Sequence, residues 1–407
     1  MVAKINADTS GGLKITSDTS GTLEIQSAGT TKFTVNSAGV DIPAIGTIDG
    51  LTSINGGQVG GRRNIVYNGE MKVAQRSASV AGLGAAAGYF TLDRWKIDTA
   101  NSAGRLTMTQ TADGPNGFAN CIKLDCTTAD TSLAASEHLI ISQRFEGQDL
   151  QSIGKGAAGA KEVTVSFYVK ANAAFTFGLE LYDADNTRQI TKLYTTTTAW
   201  VRHKITFPAD TTGVFTDDNL ESLQLGFWLH AGATFASGTL NTAAWADNTN
   251  ANRAAGIDSF YSSTDNNFFI TGVQLEIGST ATEFEHRSYG EELALCQRYC
   301  VAWTFSGSYS NIVAAMATAS GSVAIGDLIL PVTHRVKPTG IVYSGDGVTS
   351  ITSAYGVGGA GTLAIGAYSN PHSLNLRLNS TSGLTAGHAT KIACSGSGDL
   401  YTTGGEL

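Results

Sequence analysis

The chain has 407 residues, room for two or three domains, and 42% apolar content lets it bury a sizeable core. Only 15% of its residues are charged, the net charge is −8, and no basic stripe runs through it, which argues against an electrostatic nucleic-acid binder. No run of about 18 apolar residues offers a membrane helix, and the first residues lack the charged-then-apolar layout of a secretion signal. With 48 Gly, 6 Pro and abundant Thr, Ser and Asn, the composition suits short strands joined by tight turns. The five cysteines (Cys121, Cys126, Cys296, Cys300 and Cys394) are odd in number and lack zinc spacing, so they read as reduced and packed.

Residues 9–38 repeat with a period of ten: Leu13, Leu23 and Phe33 align, as do Ile15, Ile25 and Val35. Each unit predicts one short strand with two apolar residues on one face. Two such side chains contribute about 1.5–3 kcal/mol each, whereas ordering ten residues costs on the order of 10–20 kcal/mol. The repeat must therefore stack, either as a meander on its neighbours or, the better fit, as a shaft shared between identical chains. Residues 1–62 are read as this shaft and a linker.

Residues 63–287 form the next unit. Strands are expected over 105–109, 120–124, 138–145, 162–170, 175–182, 201–207, 223–230 and 267–276, separated by Asn-, Asp-, Gly- and Thr-rich loops, the pattern of a β-sandwich or jelly roll. In the last strand, alternation places Phe269, Thr271, Val273 and Leu275 on one face and Ile270, Gln274 and Glu276 on the other. Ser288 and Glu291 form a capping box that starts a closing helix over 288–301, with Leu293, Cys296, Gln297 and Cys300 on one face.

Several ordered motifs carry a family resemblance. Arg63-Asn64-Ile65-Val66-Tyr67-Asn68-Gly69 leading to Gln75-Arg76, the segment Tyr89-Phe90-Thr91-Leu92-Asp93-Arg94-Trp95, the strand Val165–Lys170, and Gln274–Gly278 with Glu291–Tyr299 resemble the bacteriophage tail fibre and receptor-binding proteins. The chain departs from that pattern at Cys300, where an aromatic is usual, and at Ala74, where a Trp is usual. The resemblance implies a carbohydrate-binding-module-like jelly roll, a homotrimeric fibre, a virion location facing the host, other virion proteins as N-terminal partners, and bacterial surface polysaccharide as ligand. Asp93 and Arg94 beside Trp95 read as a buried ion pair under an aromatic lid, and Arg76 and Arg298 as structural pairs.

Sugars present apolar C–H faces and many hydroxyls, so aromatic rings beside acid, amide and Arg groups suit them. Two loops offer this set: Tyr182, Asp183, Asp185, Asn186 and Arg188, and, within an insertion over 231–261, Trp245, Asp247 and Asn248. The first resembles the start of a calcium loop but lacks the Gly at position six and the Glu at twelve, where Tyr194 stands, so no EF-hand is expected. No cofactor is expected, while the jelly roll leaves room for a structural calcium. Residues 302–407 carry little charge and read as a small β tip domain in which Tyr343, Tyr355, Tyr368 and His372 are candidate contacts.

Catalytic motifs are absent. Gly154-Lys155-Gly156-Ala157-Ala158-Gly159 matches G-x-G-x-x-G, but a strand follows where a phosphate site needs a helix N-terminus. The sequence thus predicts an all-β, non-enzymatic, glycan-binding phage tail fibre. The alternatives are a tailspike-like glycan depolymerase and a purely structural head fibre, adaptor or baseplate part.

Overall fold

The computed structural model describes residues 22–27, 30–36, 39–41, 53–54, 57–58, 61–305, 310–320, 323–344, 351–353, 361–380, 389–394 and 398–407. The chain divides into two compact units, Met1–Ile54 and Asn55–Leu407.

In the first unit, β1 (Leu23–Ser27), β2 (Thr30–Asn36) and β3 (Gly39–Asp41) form an antiparallel meander, and a short β4 (Ser53–Ile54) follows. Adjacent repeats pair with each other, Leu23 opposite Val35 and Ile25 opposite Phe33. The second and third repeats thus each form one strand, and the first lies outside the described residues. Ile25 remains 52% exposed, so the meander leaves apolar surface uncovered.

The second unit begins with β5 (Gly57–Gln58). Its sandwich is built from β6 (Ser79–Leu83), β7 (Lys96–Ala100), β8 (Arg105–Thr111), β9 (Cys121–Thr128), β10 (His138–Glu146), β11 (Val163–Ala171), β12 (Thr176–Asp183), β13 (Arg188–Thr195), β14 (Val201–Phe207), β15 (Glu221–Ala231), β16 (Ala246–Asp247) and β17 (Asn267–Ile277). One six-stranded sheet runs β16-β13-β12-β15-β10-β7 and the other β14-β11-β17-β9-β8-β6, both antiparallel. Their facing sides bury one core, with Phe177, Leu179, Leu181, Leu225 and Phe227 from the first sheet and Val165, Phe167, Val169, Ile122 and Leu124 from the second.

The last strand departs from simple alternation. Phe268 and Ile270 enter the core, then Val273 and Leu275, so the phase shifts by one residue between them, and Phe269 and Thr271 leave the core face assigned by alternation. A β-bulge opposite β11 causes this, since Ser166 pairs with Gln274 but Tyr168 with Thr271. Gly272 sits in it at φ 62°, and a Cβ there would stand 2.8 Å from the Phe118 ring, so only glycine fits.

The closing helix is α2 (Tyr289–Gln297), preceded by the short α1 (Ala233–Ala236) of the insertion. Ser288 and Glu291 form the reciprocal capping box. Cys296 is fully buried, and Cys300, also buried, lies beyond the helix end, while Leu293 and Gln297 remain half-buried. Cys121, Cys126, Cys296 and Cys300 are free thiols, all buried.

The remaining strands are β18 (Ala302–Phe305), β19 (Ser310–Ser320), β20 (Val323–Ile329), β21 (Gly340–Ser344), β22 (Ile351–Ser353), β23 (Gly361–Ile365), β24 (Ser373–Ser380), β25 (Ala389–Cys394) and β26 (Gly398–Thr403). Six of them close a barrel, β19-β20-β24-β23-β22-β25, and three form the sheet β18-β26-β21. Leu363, Leu374, Leu376 and Leu378 supply a second core.

A knot of buried charge ties this region to the sandwich. Asp93 and Arg94 are both buried, but they do not pair with each other, because successive residues point apart. Asp93 accepts from Arg76 Nη1 at 3.2 Å and Gln75 Nε2 at 2.7 Å. Arg94 pairs with Glu406 and lies 3.5 Å over the Tyr299 ring, and Arg76 Nη2 meets the same Glu406 at 2.8 Å. Arg298 donates twice to Glu146, at 2.7 and 2.6 Å. Trp95 donates Nε1 to the Asn68 carbonyl at 3.1 Å and is fully buried, a core residue and no sugar platform.

Removing Glu406 leaves the buried Arg94 without a carboxylate and Arg76 with Asp93 alone, so Glu406→Ala is expected to lower the unfolding free energy by about 3–5 kcal/mol in a urea titration. His334 provides a pH test. It is buried, its Nε2 lies 3.2 Å from Thr402 Oγ1, and burial lowers its pKa from 6.5 to about 4. A depressed folded pKa makes its contribution complete above pH 6.5 and lost as pH falls toward 4. The thermal midpoint should fall over that window, and less steeply in His334→Gln.

Candidate functional site

The two sequence-nominated loops meet in space. β16 pairs with the start of β13, Asp247 opposite Arg188 and Ala246 opposite Gln189, and Asn248 N donates to the Thr187 carbonyl at 2.9 Å. Arg188 donates to Asp247 at 2.8 Å, to the Trp245 carbonyl at 3.2 Å and to Asp210 at 2.9 Å. Lys155, held between Gly154 and Gly156 at positive φ, reaches Asp183 at 2.5 Å and Asp210 at 3.0 Å. The literal G-x-G-x-x-G thus delivers a lysine to the rim of the sandwich. Phe215 and Trp245 cover its ammonium at 5.2 and 5.4 Å.

This rim cluster satisfies itself. Asp183 also accepts from Asn186 N at 3.0 Å, Asp185 accepts from Thr216 N at 2.9 Å, and Trp245 Nε1 donates to the Pro208 carbonyl at 2.9 Å. Burial alone would raise the Asp210 pKa, but the Arg188 and Lys155 donors outweigh it and hold the carboxyl down. The adjoining cavity, lined by Lys155, Asp210, Phe215 and Trp245, measures about 20 Å³, space for a single water. Asp183, Asn186, Arg188 and Trp245 are therefore engaged within the protein, while Asp247, at 93% exposure, and the exposed Asp185 keep an outer side free.

Tyr182 faces the other way. Alternation along β12 sends Asp183 to the rim and Tyr182 with Glu180 to the outer face of the first sheet. There Arg253, from the insertion, donates to Glu180 at 2.8 and 2.7 Å and covers both the Tyr182 ring (4.8 Å) and the Trp228 ring (5.0 Å). Trp228 Nε1 donates to Glu180 at 2.9 Å, so Glu180 anchors both partners. Gly226 lies between Glu180 and Ser142 in the strand register, and a Cβ there would stand 3.1 Å from Ile140 Cγ2 and 3.5 Å from Gln224 Nε2, so neighbouring side chains cover it. Toward the β7 edge, Arg144 bridges Glu221 at 2.8 Å and Asp98 at 3.2 Å, with all three side chains about one-fifth exposed.

Polar capacity on this face is left over. Among the described residues, Ser142 Oγ, Arg144 Nε and His138 Nδ1 are buried without a hydrogen-bond partner. Burial would raise the Asp98 pKa, but His138, Lys96 and Arg144 outweigh it and bring the carboxyl down to about 2, whereas burial raises that of Glu221. The sequence nominated Tyr182 in one loop with Asp183, Asp185, Asn186 and Arg188, whereas it lies in β12 and points to this face, away from the rim cluster. Gln224, Arg144, Asp98 and Arg253 do so unannounced. The phase of LQLGFWLHA signals Gln224 beside Gly226 and Trp228, but nothing local signals Arg253.

Of the C-terminal candidates, Tyr343 is 38% and Tyr368 86% exposed, and His372 Nδ1 lies 3.2 Å from Thr333 Oγ1. Tyr355 lies outside the described residues. Among the described residues, no group of three or more His, Cys, Asp or Glu could hold a metal ion, and no helix is long and apolar enough to cross a membrane.

No protein-family model matches the chain, and no curated protein does. Solved structures similar to it include the family 11 carbohydrate-binding module of a Clostridium thermocellum cellulosomal cellulase (12% identity, 49% of this chain, 99% of that chain, TM-score 0.25). A family 30 carbohydrate-binding module is similar over 55% of this chain and 97% of its own at 11% identity and TM-score 0.26. The enzymatically active domain of bacteriophage CBA120 tailspike protein 4 is similar over 53% of this chain and 21% of that one, at 11% identity and TM-score 0.28. None of these likenesses bears on ligand or activity.

Substitution separates rim architecture from exposed decoration. Asp210→Ala removes the carboxylate that Lys155 and Arg188 share, leaving them Asp183 and the exposed Asp247, and should cost about 3 kcal/mol of unfolding free energy. Asp247→Ala removes one exposed pair and should cost no more than about 1 kcal/mol in the same chemical denaturation series.

Proposed function

We propose that this protein is a non-catalytic fibre of a phage virion that binds host-cell surface glycan through the outer sheet face around Tyr182. The observation that carries the reading is the Tyr182 ring, partly exposed and backed by the Arg253 guanidinium, with the partly exposed Asp98–Arg144–Glu221 bridge toward the β7 edge. A pyranose presents a C–H face to such a ring and hydroxyls to acid–Arg pairs such as Asp98–Arg144–Glu221. The formal charges there balance, with Lys96, Arg144 and Arg253 against Asp98, Glu180 and Glu221, which favours an uncharged polysaccharide.

The virion assignment is supported by the tail-fibre motifs at 63–76, 89–95 and 274–299, and the trimer by repeats whose meander leaves Ile25 exposed. Three chains per fibre and several fibres per particle would turn weak sites into firm attachment.

One observation favours an enzyme, the depolymerase alternative. Asp98 and Glu221 share Arg144, yet burial raises the Glu221 pKa while the cations hold Asp98 down to about 2, the separation that an acid and an ionised partner require. A single set of measurements on the intact protein distinguishes the readings. Host polysaccharide should bind, Tyr182→Ala should weaken binding about tenfold, no new reducing ends should form, and sedimentation should give three chains. Reducing ends that disappear in Glu221→Gln would establish the enzyme, and a folded monomer would remove the trimer.

A further inference from the structure

We propose a second binding site, for a short uncharged saccharide, in the groove between α2 and the sheet β18-β26-β21. The groove encloses about 440 Å³, within the range of roughly 300–1,000 Å³ usual for small-molecule clefts. Tyr289, Leu293 and Gln297 recur every four residues and so line one side of α2. Thr304 and Asp399 stand directly opposite each other on β18 and β26 and form the facing wall.

These walls are fixed. Gln75, at the base, donates to Asp93 and to the Cys300 carbonyl, both at 2.7 Å, and accepts from Ala302 N at 3.1 Å, so its amide is spent. Ser77 Oγ is likewise engaged, with the backbone of Ser79, but four other polar groups are not spent. Among the described residues, the Tyr289 phenol, the Gln297 amide, the Thr304 hydroxyl and the Asp399 carboxylate have no hydrogen-bond partner, and Tyr289 is 57% exposed.

The lining selects a ligand class. No Lys, Arg or His lines the groove, and Asp399 is its one carboxylate, so a phosphate or sugar acid meets repulsion without compensation. A wholly apolar ligand would desolvate four polar groups for nothing. A neutral sugar uses all of them, with hydroxyls to Asp399, Gln297 and Thr304 and its C–H face to Tyr289. None of these residues belongs to the Tyr182 face, so the site stands or falls separately from it.

The test uses the full chain and ligand-detected NMR with cellobiose, lactose and N-acetylglucosamine, and glucuronic acid as the charged control. At least one neutral sugar should bind, unchanged in Tyr182→Ala and about tenfold more weakly in Tyr289→Ala and Asp399→Ala. Both substituted side chains lack intramolecular partners, so thermal melts should match the parent and confirm that the variants fold. The site is overturned if no neutral sugar binds the folded chain, if Tyr182→Ala alone abolishes binding, or if glucuronic acid binds more tightly than the neutral sugars. It is overturned equally if Tyr289→Ala changes the sedimentation coefficient, which would make the groove a contact between chains.

Discussion

The sandwich and the C-terminal strands depend on one constraint: the charges of Asp93 and Arg94 are fully buried, so each needs a partner brought from elsewhere. Isolated ions in such surroundings carry several kcal/mol of desolvation. The chain answers with Arg76 from the leading segment, Glu406 from beyond β26, and the Tyr299 ring from just past α2. Segments more than 300 residues apart are thereby fixed in one arrangement (Arg76 and Glu406 are 330 positions apart). Burial lifts the Asp93 pKa to about 6 even with Arg76 beside it, a measure of how completely water is excluded.

The same economy of position shapes the candidate sites. Adjacent residues on a strand serve different ends: Asp183 locks Lys155 at the rim, while Tyr182 opens onto the sheet face. The insertion supplies Arg253, and Ile140, Trp228 and Ala254 form a small core beneath it with Phe235 and Ile257 alongside. That core covers one part of the face, and Gly226 beyond it is buried beside Ile140 and Gln224. The α2 groove arises in a similar way. The helix buries Cys296 and turns Tyr289, Leu293 and Gln297 toward the strands that follow it.

Much was legible in the residues themselves. Composition and turn chemistry gave an all-β chain, and apolar–polar alternation located eight sandwich strands, because a half-buried strand must alternate wherever it lies. The capping box at Ser288 and Glu291 was readable for the same reason: its partners are three residues apart. β6, β7, β13 and β16 escaped notice, since their residues carry less periodic signal and pair only after neighbouring strands are in place. The phase of β17 was misread because a bulge is set by the strand opposite it.

The binding faces divide along the same line. The sequence by itself determined which residue types were available: Tyr182 with its acidic and amide neighbours, and Trp245 with Asp247. Only the tertiary structure decided which of them are spent on one another and which are left for a ligand. Arg188 and Asp247 are 59 positions apart, and Arg253 and Glu180 are 73. Hydrogen bonds and ion pairs act over a few ångströms, so a side chain's availability depends on neighbours that local sequence does not contain.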